Sequence, residues 1–373
     1  MKNLLFVLAV FSAACNPSSD KAVATEPVGL EELRASLDSL FNAEVGSDEP
    51  GAALLVASNG EMLIGKGYGL RDTETGQPIT ASTNLRMASV SKQFTALCIL
   101  SLIDQGKLSL NDEAFSYLPY PIFKGISIEH LLNHTSGLPD YYQHFDADWD
   151  RSNIVENKDV LDWLATNPDP VFAPSEQWEY SNTAYLMLAL IVEKVSGTEF
   201  SQYAKEQVFT KAGMQQTNYF NLAQPIEIPE RAFCYQKDSL GQFNQVDGFF
   251  MNGVMGDGAV YTSVNDYFNY DQALRNGTIL SSETHQLIFK PSSTHEVNGE
   301  ARDYAMGWGV TDSTASHSGG WFGTNTYVKR YLNKPVTFAI FMNRTTLWEN
   351  DLVGKTDSLI NEYLKLPQTA NKR

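Results

Sequence analysis

The chain is poor in basic residues and in cysteine. Its 373 residues include 27 lysines and arginines against 44 aspartates and glutamates, giving a formal net charge of -17. Phosphate binding needs basic patches, so this balance argues against a nucleic-acid partner. The three cysteines, Cys15, Cys98 and Cys234, lack zinc-ligand spacing with any histidine. We therefore predict no metal site, and we expect Cys98 and Cys234 to remain unpaired, although an oxidising compartment would allow one disulfide.

Two common patterns are also missing. No Gly-x-Ser-x-Gly sequence occurs, which argues against the nucleophile elbow of an α/β-hydrolase. No repeat period or low-complexity tract appears. Hydrophobic residues make up 43% of the chain, which is enough for a large buried core.

The first apolar run, Leu4–Phe11, is too short to span a membrane. Lys2 precedes it and small residues follow it, as in an export signal. The segment is similar to a bacterial lipoprotein signal, which makes Cys15 the lipidated first residue of the mature chain. Ser12 stands where that pattern prefers leucine, so ordinary cleavage near Ala14 is the alternative. We predict a periplasmic or cell-surface protein that is held to a membrane only through Cys15. The chain is divided into a signal (1–15), a polar tether (16–28), one domain (29–365) and a tail (366–373).

Strand signals occur at both ends of the domain. Gly51–Ser58 and Glu61–Tyr68 flank Asn59-Gly60, a strong hairpin signal. Helical and loop patterns dominate residues 110–300, and strand composition returns in Tyr304–Val310, Thr324–Tyr331 and Pro335–Met342. These patterns predict an α+β fold, in which an antiparallel sheet built from N- and C-terminal parts is flanked by helices and interrupted by a mostly helical region. The predicted helices lie at Leu30–Phe41, from about Ala88 to Gln105, and at Asp159–Ala165, Tyr185–Val195, Ser263–Arg275 and Asp351–Leu364.

Ser89 and Lys92 are the first candidate catalytic pair. They lie three residues apart in the predicted first turn of an amphipathic helix, so their side chains should be neighbours. A hydroxyl beside an amine can act as nucleophile and base. Alone, this spacing is more often a helix cap followed by a solvated lysine.

Two further motifs follow. Tyr180-Ser181-Asn182 precedes a buried helix, and His317-Ser318-Gly319-Gly320 precedes a strand. Each is weak by itself, because Tyr180 could be a core aromatic and the glycines could only shape a turn.

Together the three motifs match the set found in penicillin-binding proteins and β-lactamases. The chain resembles the serine hydrolase family of class C β-lactamases, DD-carboxypeptidases, D-aminopeptidases and related esterases, over about residues 29–365. Family-like stretches are LRMASVSKQFTAL from Leu85, LLNHTSGLPD from Leu131, WEYSNTAYLMLALIVEKVSG from Trp178 and GDGAVYTS from Gly256. The resemblance implies a β-lactamase/transpeptidase-like fold and no cofactor.

The resemblance also implies roles. Ser89 attacks a carbonyl and forms a covalent ester. Lys92 and Tyr180 transfer protons, and which of them is the base in each step stays open. Asn182 holds Lys92 and the substrate amide, while the backbone N–H groups of Ser89 and Gly320 form the oxyanion hole. Candidate substrate-binding residues are Ser318 and Gly319.

His317 departs from the β-lactamase branch, which usually carries Lys-Thr-Gly at the third motif. We count His317 among the catalytic candidates and expect it to face a substrate carboxylate or carbonyl, with a pKa near 6.5 in the free enzyme that rises beside a carboxylate in the complex. His134 could be catalytic, but its loop context favours a structural role.

The resulting prediction is a serine hydrolase acting on a small-molecule or peptide amide or ester. A DD-peptidase-like, D-aminopeptidase-like or esterase activity is favoured, and a true β-lactamase is the alternative. A non-catalytic peptidoglycan- or peptide-binding protein belongs to a different class, against which the intact Ser89, Lys92, Tyr180 and Asn182 argue. We expect a monomer, with substrate choice set by the segments 141–150 and 233–251.

Overall fold

The computed structural model describes residues 29–166, 169–297 and 300–363. The predicted signal, tether and tail lie outside these residues. The helices α1 to α10 are Leu30–Glu44, Lys92–Asp104, Ile128–Leu132, Tyr141–Asp148, Asn157–Thr166, Asn182–Ser196, Phe200–Ala204, Val264–Asn276, Ser282–His285 and Leu352–Tyr363. The strands β1 to β15 are Ala52–Ser58, Glu61–Tyr68, Leu70–Asp72, Gln77–Pro78, Leu85–Arg86, Asn218–Tyr219, Tyr235–Lys237, Phe243–Gln245, Val260–Thr262, Ser293–Val297, Glu300–Ala305, Trp308–Val310, Thr314–Trp321, Thr324–Tyr331 and Val336–Met342. Short 3₁₀ turns lie at Ala88–Ser91, Ala114–Ser116, Pro121–Phe123 and Glu349–Asp351, with a π turn at Lys205–Phe209.

One large antiparallel sheet joins the two ends of the domain. Its strand order is β10-β11-β12-β13-β14-β15-β1-β2. The join lies between β1 and β15, where Ala52 is opposite Met342 and Ser58 is opposite Val336. The predicted fold class is therefore confirmed, including the assembly of the sheet from N- and C-terminal strands.

Each face of the sheet covers a separate hydrophobic cluster. Successive strand side chains point to opposite faces. In β1, Leu55 belongs to the larger cluster beneath the helical region, whereas Leu54 and Val56 belong to the smaller cluster that includes residues of α1 and α10. Because both faces are covered, the strand reads as a continuous apolar run rather than an alternating one.

Helix α2 is buried on almost every side, and the predicted single apolar face is wrong. All residues of Lys92–Leu102 are buried, because α2 packs against α6 and α7 within the larger cluster. The predicted start is also wrong: the helix begins at Lys92, after the 3₁₀ turn that contains Ser89. Gly106 follows the helix with φ +68°, as its predicted role as a stop requires.

The C-terminal part of the sheet begins earlier than predicted. The hairpin β10–β11 pairs Ser293 with Tyr304, in a region where loops were expected. The single strand predicted over Tyr304–Val310 is two strands, separated by Met306 and Gly307, both with positive φ. The strand predicted after the His317 motif is β14, which begins at Thr324 as expected, but the motif itself lies inside a further strand, β13, that was not predicted.

Cys98 and Cys234 are buried free thiols, and burial raises the pKa of both. Across the ranges that the structure describes, no group of three or more His, Cys, Asp or Glu side chains is placed to hold a metal ion. Within the same ranges, no helix has the length and apolar character needed to cross a membrane.

Candidate active site

Ser89 sits on a turn fastened to neighbouring strands. The backbone N–H of Met87 donates to Val260 O at 2.8 Å, and the Thr326 hydroxyl donates to Met87 O at 2.8 Å. Between Met87 and Ser89, Ala88 has a φ of +45°, which is the left-handed region that non-glycine residues seldom adopt. Backbone strain of this kind is often found at functional sites.

Lys92, the first residue of α2, has no exposed surface and lies beside Ser89. Its Nζ lies 3.3 Å from Ser89 Oγ, 2.8 Å from Asn182 Oδ1 and 2.9 Å from the backbone oxygen of Asp257. The Asn182 and Asp257 oxygens can only accept, so two N–H bonds of Lys92 are directed to them. The remaining position of the amine points to Ser89 Oγ, and a neutral amine there can accept the serine proton.

The second motif is held at the start of α6. The Ser181 hydroxyl caps this helix by accepting from the backbone N–H of Ala184. Asn182 donates from its backbone and its side-chain amide to Asp140 Oδ2, at 3.2 and 3.3 Å. These two bonds orient the Asn182 amide so that its oxygen faces Lys92.

Tyr180 forms one wall beside Lys92. The Lys92 Nζ lies 4.8 Å from the centroid of its ring, and the His134 ring lies 4.4 Å away on another side. Among the residues that the structure covers, none is hydrogen-bonded to the Tyr180 hydroxyl. That hydroxyl is available to a bound substrate.

His134 supports the second motif from within the protein. Its ring is fully buried, and Nδ1 accepts from the backbone N–H of Ser181 at 3.1 Å. Burial, together with the charge of Lys92, holds the pKa of His134 well below 6.5. The imidazole is thus neutral and braces the loop before Asn182.

The third motif approaches Ser89 from β13. Pairing with β12 ends at Ser316, which is opposite Gly309, so the rest of β13 has only β14 beside it. A Cβ at Gly319 would lie 2.4 Å from Met87 O and 2.3 Å from Thr326 Oγ1, so only glycine allows β13 to lie this close to the Ser89 turn.

The structure corrects the expectation for His317. Its ring is buried, its Nδ1 lies 2.6 Å from Ser318 O, and its Nε2 lies 3.2 Å from the Tyr304 hydroxyl. A carbonyl oxygen can only accept, so Nδ1 carries the proton and Nε2 accepts from Tyr304. Burial, reinforced by the charge of Lys92, lowers the pKa of His317 to about 4. The imidazole is therefore neutral at pH 7, and both nitrogens have partners inside the protein.

These groups meet at a cavity of about 220 Å³. Gly320 lines it, as a second oxyanion donor would, whereas Ser318 and Gly319 are not part of its lining. The lining residues are Arg86, Ala88, Ser89, Tyr141, Tyr180, Asn182, Val254, Asp257, Gly258, Gly320 and Trp321.

Three charged residues of the site were missed as functional candidates. Arg86 and Asp257 line the cavity, and Asp140 orients Asn182. Each lay within a family-like stretch of sequence, which was the signal available. Burial raises the pKa of Asp257, although the charge of Lys92 opposes the rise.

Comparison with known proteins identifies the family of this chain. The Beta-lactamase family model matches residues 37–357. Penicillin-binding protein 4* of Bacillus subtilis (strain 168) is 34% identical over 331 residues, covering 84% of this chain and 72% of that protein. This chain belongs to the β-lactamase family of serine hydrolases.

Solved structures share the fold. The octameric penicillin-binding protein homologue from Pyrococcus abyssi has a TM-score of 0.76 at 23% identity, over 92% of this chain and 78% of that one. The D-amino acid amidase of Ochrobactrum anthropi SV3, complexed with L-phenylalanine amide, has a TM-score of 0.74 at 20% identity, over 89% and 99%. Since the first of these is an octamer, the expected monomer stays a prediction.

Proposed function

We propose that this hydrolase forms an acyl-enzyme on Ser89 and cleaves an amide or ester of an amino acid or short peptide. The observation that carries this proposal is the position of Lys92, whose buried amine lies 3.3 Å from Ser89 Oγ with its other N–H bonds directed to Asn182 and Asp257. A general base must lie within hydrogen-bond reach of the proton it removes, and this amine does.

Acylation follows from that arrangement. Ser89 Oγ attacks the substrate carbonyl while its proton passes to Lys92. Charge then develops on the carbonyl oxygen, and the backbone N–H groups of Ser89 and Gly320, two residues that line the cavity, would stabilise it. Tyr180 lines the cavity, and no described residue is hydrogen-bonded to its hydroxyl, so this group is placed to protonate the leaving group and then to activate water.

The proposed substrate class rests on the cavity and on the relatives. A cavity of about 220 Å³ suits one amino-acid side chain or a small acyl group. Tyr141, Val254 and Trp321 supply apolar and aromatic surface beside the reactive serine. A structural neighbour is an amidase of D-amino acids, and a relative is a penicillin-binding protein, which favours a peptidase-like or amidase-like activity.

A substrate panel tests this assignment. We expect a fluorophosphonate probe to label the wild-type protein and the control Ser82→Ala, which removes an exposed serine, but not Ser89→Ala. Unlabelled samples of the same three proteins would be assayed with D-alanyl-D-alanine peptides, D-amino-acid amides, p-nitrophenyl esters and a chromogenic cephalosporin. Labelling that persists in Ser89→Ala would refute the nucleophile. Turnover of the cephalosporin alone would identify a β-lactamase instead.

We also propose that the protein is exported and lipid-anchored through Cys15. The proposal rests on the sequence of residues 1–15, which lie outside the described structure.

A further inference from the structure

Arg86 is a buried cation in the wall of the Ser89 cavity. It lies three residues before Ser89, at the end of β5, where it is paired with Tyr261 of β9. Only 5% of its surface is exposed, and it is the one lysine or arginine among the described residues that line the cavity. This cationic residue therefore lies in the wall of the cavity in which a substrate of Ser89 would bind.

The guanidinium of Arg86 has no hydrogen-bond or ion-pair partner among the residues that the structure describes. Its Nε is buried without a hydrogen bond. Throughout the described ranges, no acceptor or carboxylate forms a hydrogen bond or ion pair with this side chain. A guanidinium has five N–H donors, and burying such a charge without a partner is costly. An anion from outside the protein that binds to the guanidinium would offset this cost.

The other charged groups nearby already have partners. Asp257 Oδ2 accepts from the Tyr141 hydroxyl at 3.1 Å, and Asp140 accepts from Asn182. Lys92 donates to oxygen atoms of the protein. The charge of Arg86 opposes the rise in the pKa of Asp257 that burial produces, so the two groups interact without forming an ion pair.

We propose that Arg86 forms an anion subsite of the Ser89 cavity and binds a carboxylate of the substrate. The planar fork of a guanidinium matches a carboxylate with two parallel hydrogen bonds. His317 does not supply this charge, because both of its ring nitrogens have partners within the protein. This inference rests on the proposed Ser89 hydrolase and narrows its substrates to amides or esters that carry a free carboxylate near the scissile bond.

A matched substrate pair tests the preference. Acetyl-D-alanyl-D-alanine and its C-terminal amide share the same scissile bond and differ only in the carboxylate. In Arg86→Gln, the ratio of their kcat/KM values should fall about ten-fold or more, as expected for a lost charge-assisted hydrogen bond. In Arg86→Lys the fall should be smaller. Asp257→Asn removes a nearby acid whose charge opposes that of Arg86, and it should shift the ratio towards the substrate that carries the carboxylate.

Opposite effects of the Arg86 and Asp257 variants are specific to an anion subsite. If Arg86 only stabilised the fold through Asp257, Arg86→Gln would lower both kcat/KM values equally, and this result would overturn the proposal. Thermal unfolding of each variant shows whether it has folded.

A binding measurement separates this inference from the proposed reaction. Ser89→Ala should bind acetyl-D-alanine more tightly than acetyl-D-alaninamide in calorimetric titrations, and adding Arg86→Gln should remove the difference. Equal affinities for the two compounds would refute the anion subsite even if Ser89 is the nucleophile. Preferential binding that depends on Arg86, combined with absent Ser89 labelling in the wild type, would refute the hydrolase mechanism and leave the subsite standing.

Discussion

Replacing His317 with glutamine should flatten the pH dependence of stability on the acidic side of neutrality. Folded His317 has a pKa of about 4, against 6.5 for an ordinary histidine. As pH falls, the unfolded chain therefore takes up this proton first, and the free energy of unfolding of the wild type decreases. Glutamine can still donate to Ser318 O and accept from Tyr304, but it does not titrate.

The size of the effect follows from the two pKa values. At about 1.36 kcal/mol for each pH unit, their separation corresponds to a full contribution of about 3.4 kcal/mol. Between about pH 7.5 and pH 4.5 the linkage relation gives a loss of about 2.5 kcal/mol from this residue. His134, whose pKa is also lowered, is present in both proteins, so its contribution largely cancels in the difference.

Urea unfolding followed by tryptophan fluorescence measures this quantity. We would compare the wild type, His317→Gln and the control His144→Gln, because His144 is partly exposed on α4. The control should lose stability with falling pH as the wild type does, whereas His317→Gln should lose about 2.5 kcal/mol less. Equal losses in the wild type and His317→Gln would show that His317 titrates normally and is not enclosed as described.

Three further outcomes are expected. Lys92→Ala should slow the acylation of Ser89 by about 100-fold or more, as for a lost general base, and near-normal labelling kinetics would remove it from that role. Gly319→Ala should destabilise the protein by about 1–3 kcal/mol through overpacking, whereas Gly248→Ala should not, because a Cβ there meets nothing within 4 Å; equal melting temperatures would contradict this. With its native leader, Cys15→Ala should leave the membrane fraction, and an unlipidated wild-type N-terminus by intact mass would refute the anchor.

Local signals were sufficient for four of the eight strands of the large sheet, β1, β2, β14 and β15. The hairpin β1–β2 was predicted from Asn59-Gly60, and both residues have the positive φ that this kind of turn needs. β14 was predicted with the bounds that the structure shows, because its composition is strand-like throughout. Such elements need no knowledge of distant contacts.

Other elements depend on tertiary partners that a sequence pattern does not reveal. Helix α2 has polar residues such as Gln93 and Thr95, which a sequence pattern would place towards solvent, yet both are buried. Hydrogen bonds with the hydroxyls of Tyr267 and Tyr219 compensate for their burial. Strand β10 has the polar sequence STHEV and forms a strand only because β11 pairs with it.

The residues of the site also fall into those that local sequence signals predict and those that depend on tertiary contacts. The motif spacing predicted Ser89 and Lys92 as neighbours, and three residues of helix or turn were enough to bring them together. Arg86 and Asp257 belong to no motif, and their significance arises from a cavity formed by segments far apart in the chain. The neutral state of His317 depends on its contact with Tyr304. Tyr304 lies on β11, of which the sequence pattern predicted only the last two residues.

The nucleophile and the proton-transfer groups of the site are held in place by different parts of the fold. The Ser89 turn is hydrogen-bonded to the large sheet through Thr326 of β14. The absence of a side chain at Gly319 allows β13 to lie directly against the same turn. The nucleophile and the proposed oxyanion donor Gly320 are therefore both held by strands β13 and β14 of the large sheet. Asn182 and Tyr180 come from the helical region and reach the nucleophile through Lys92.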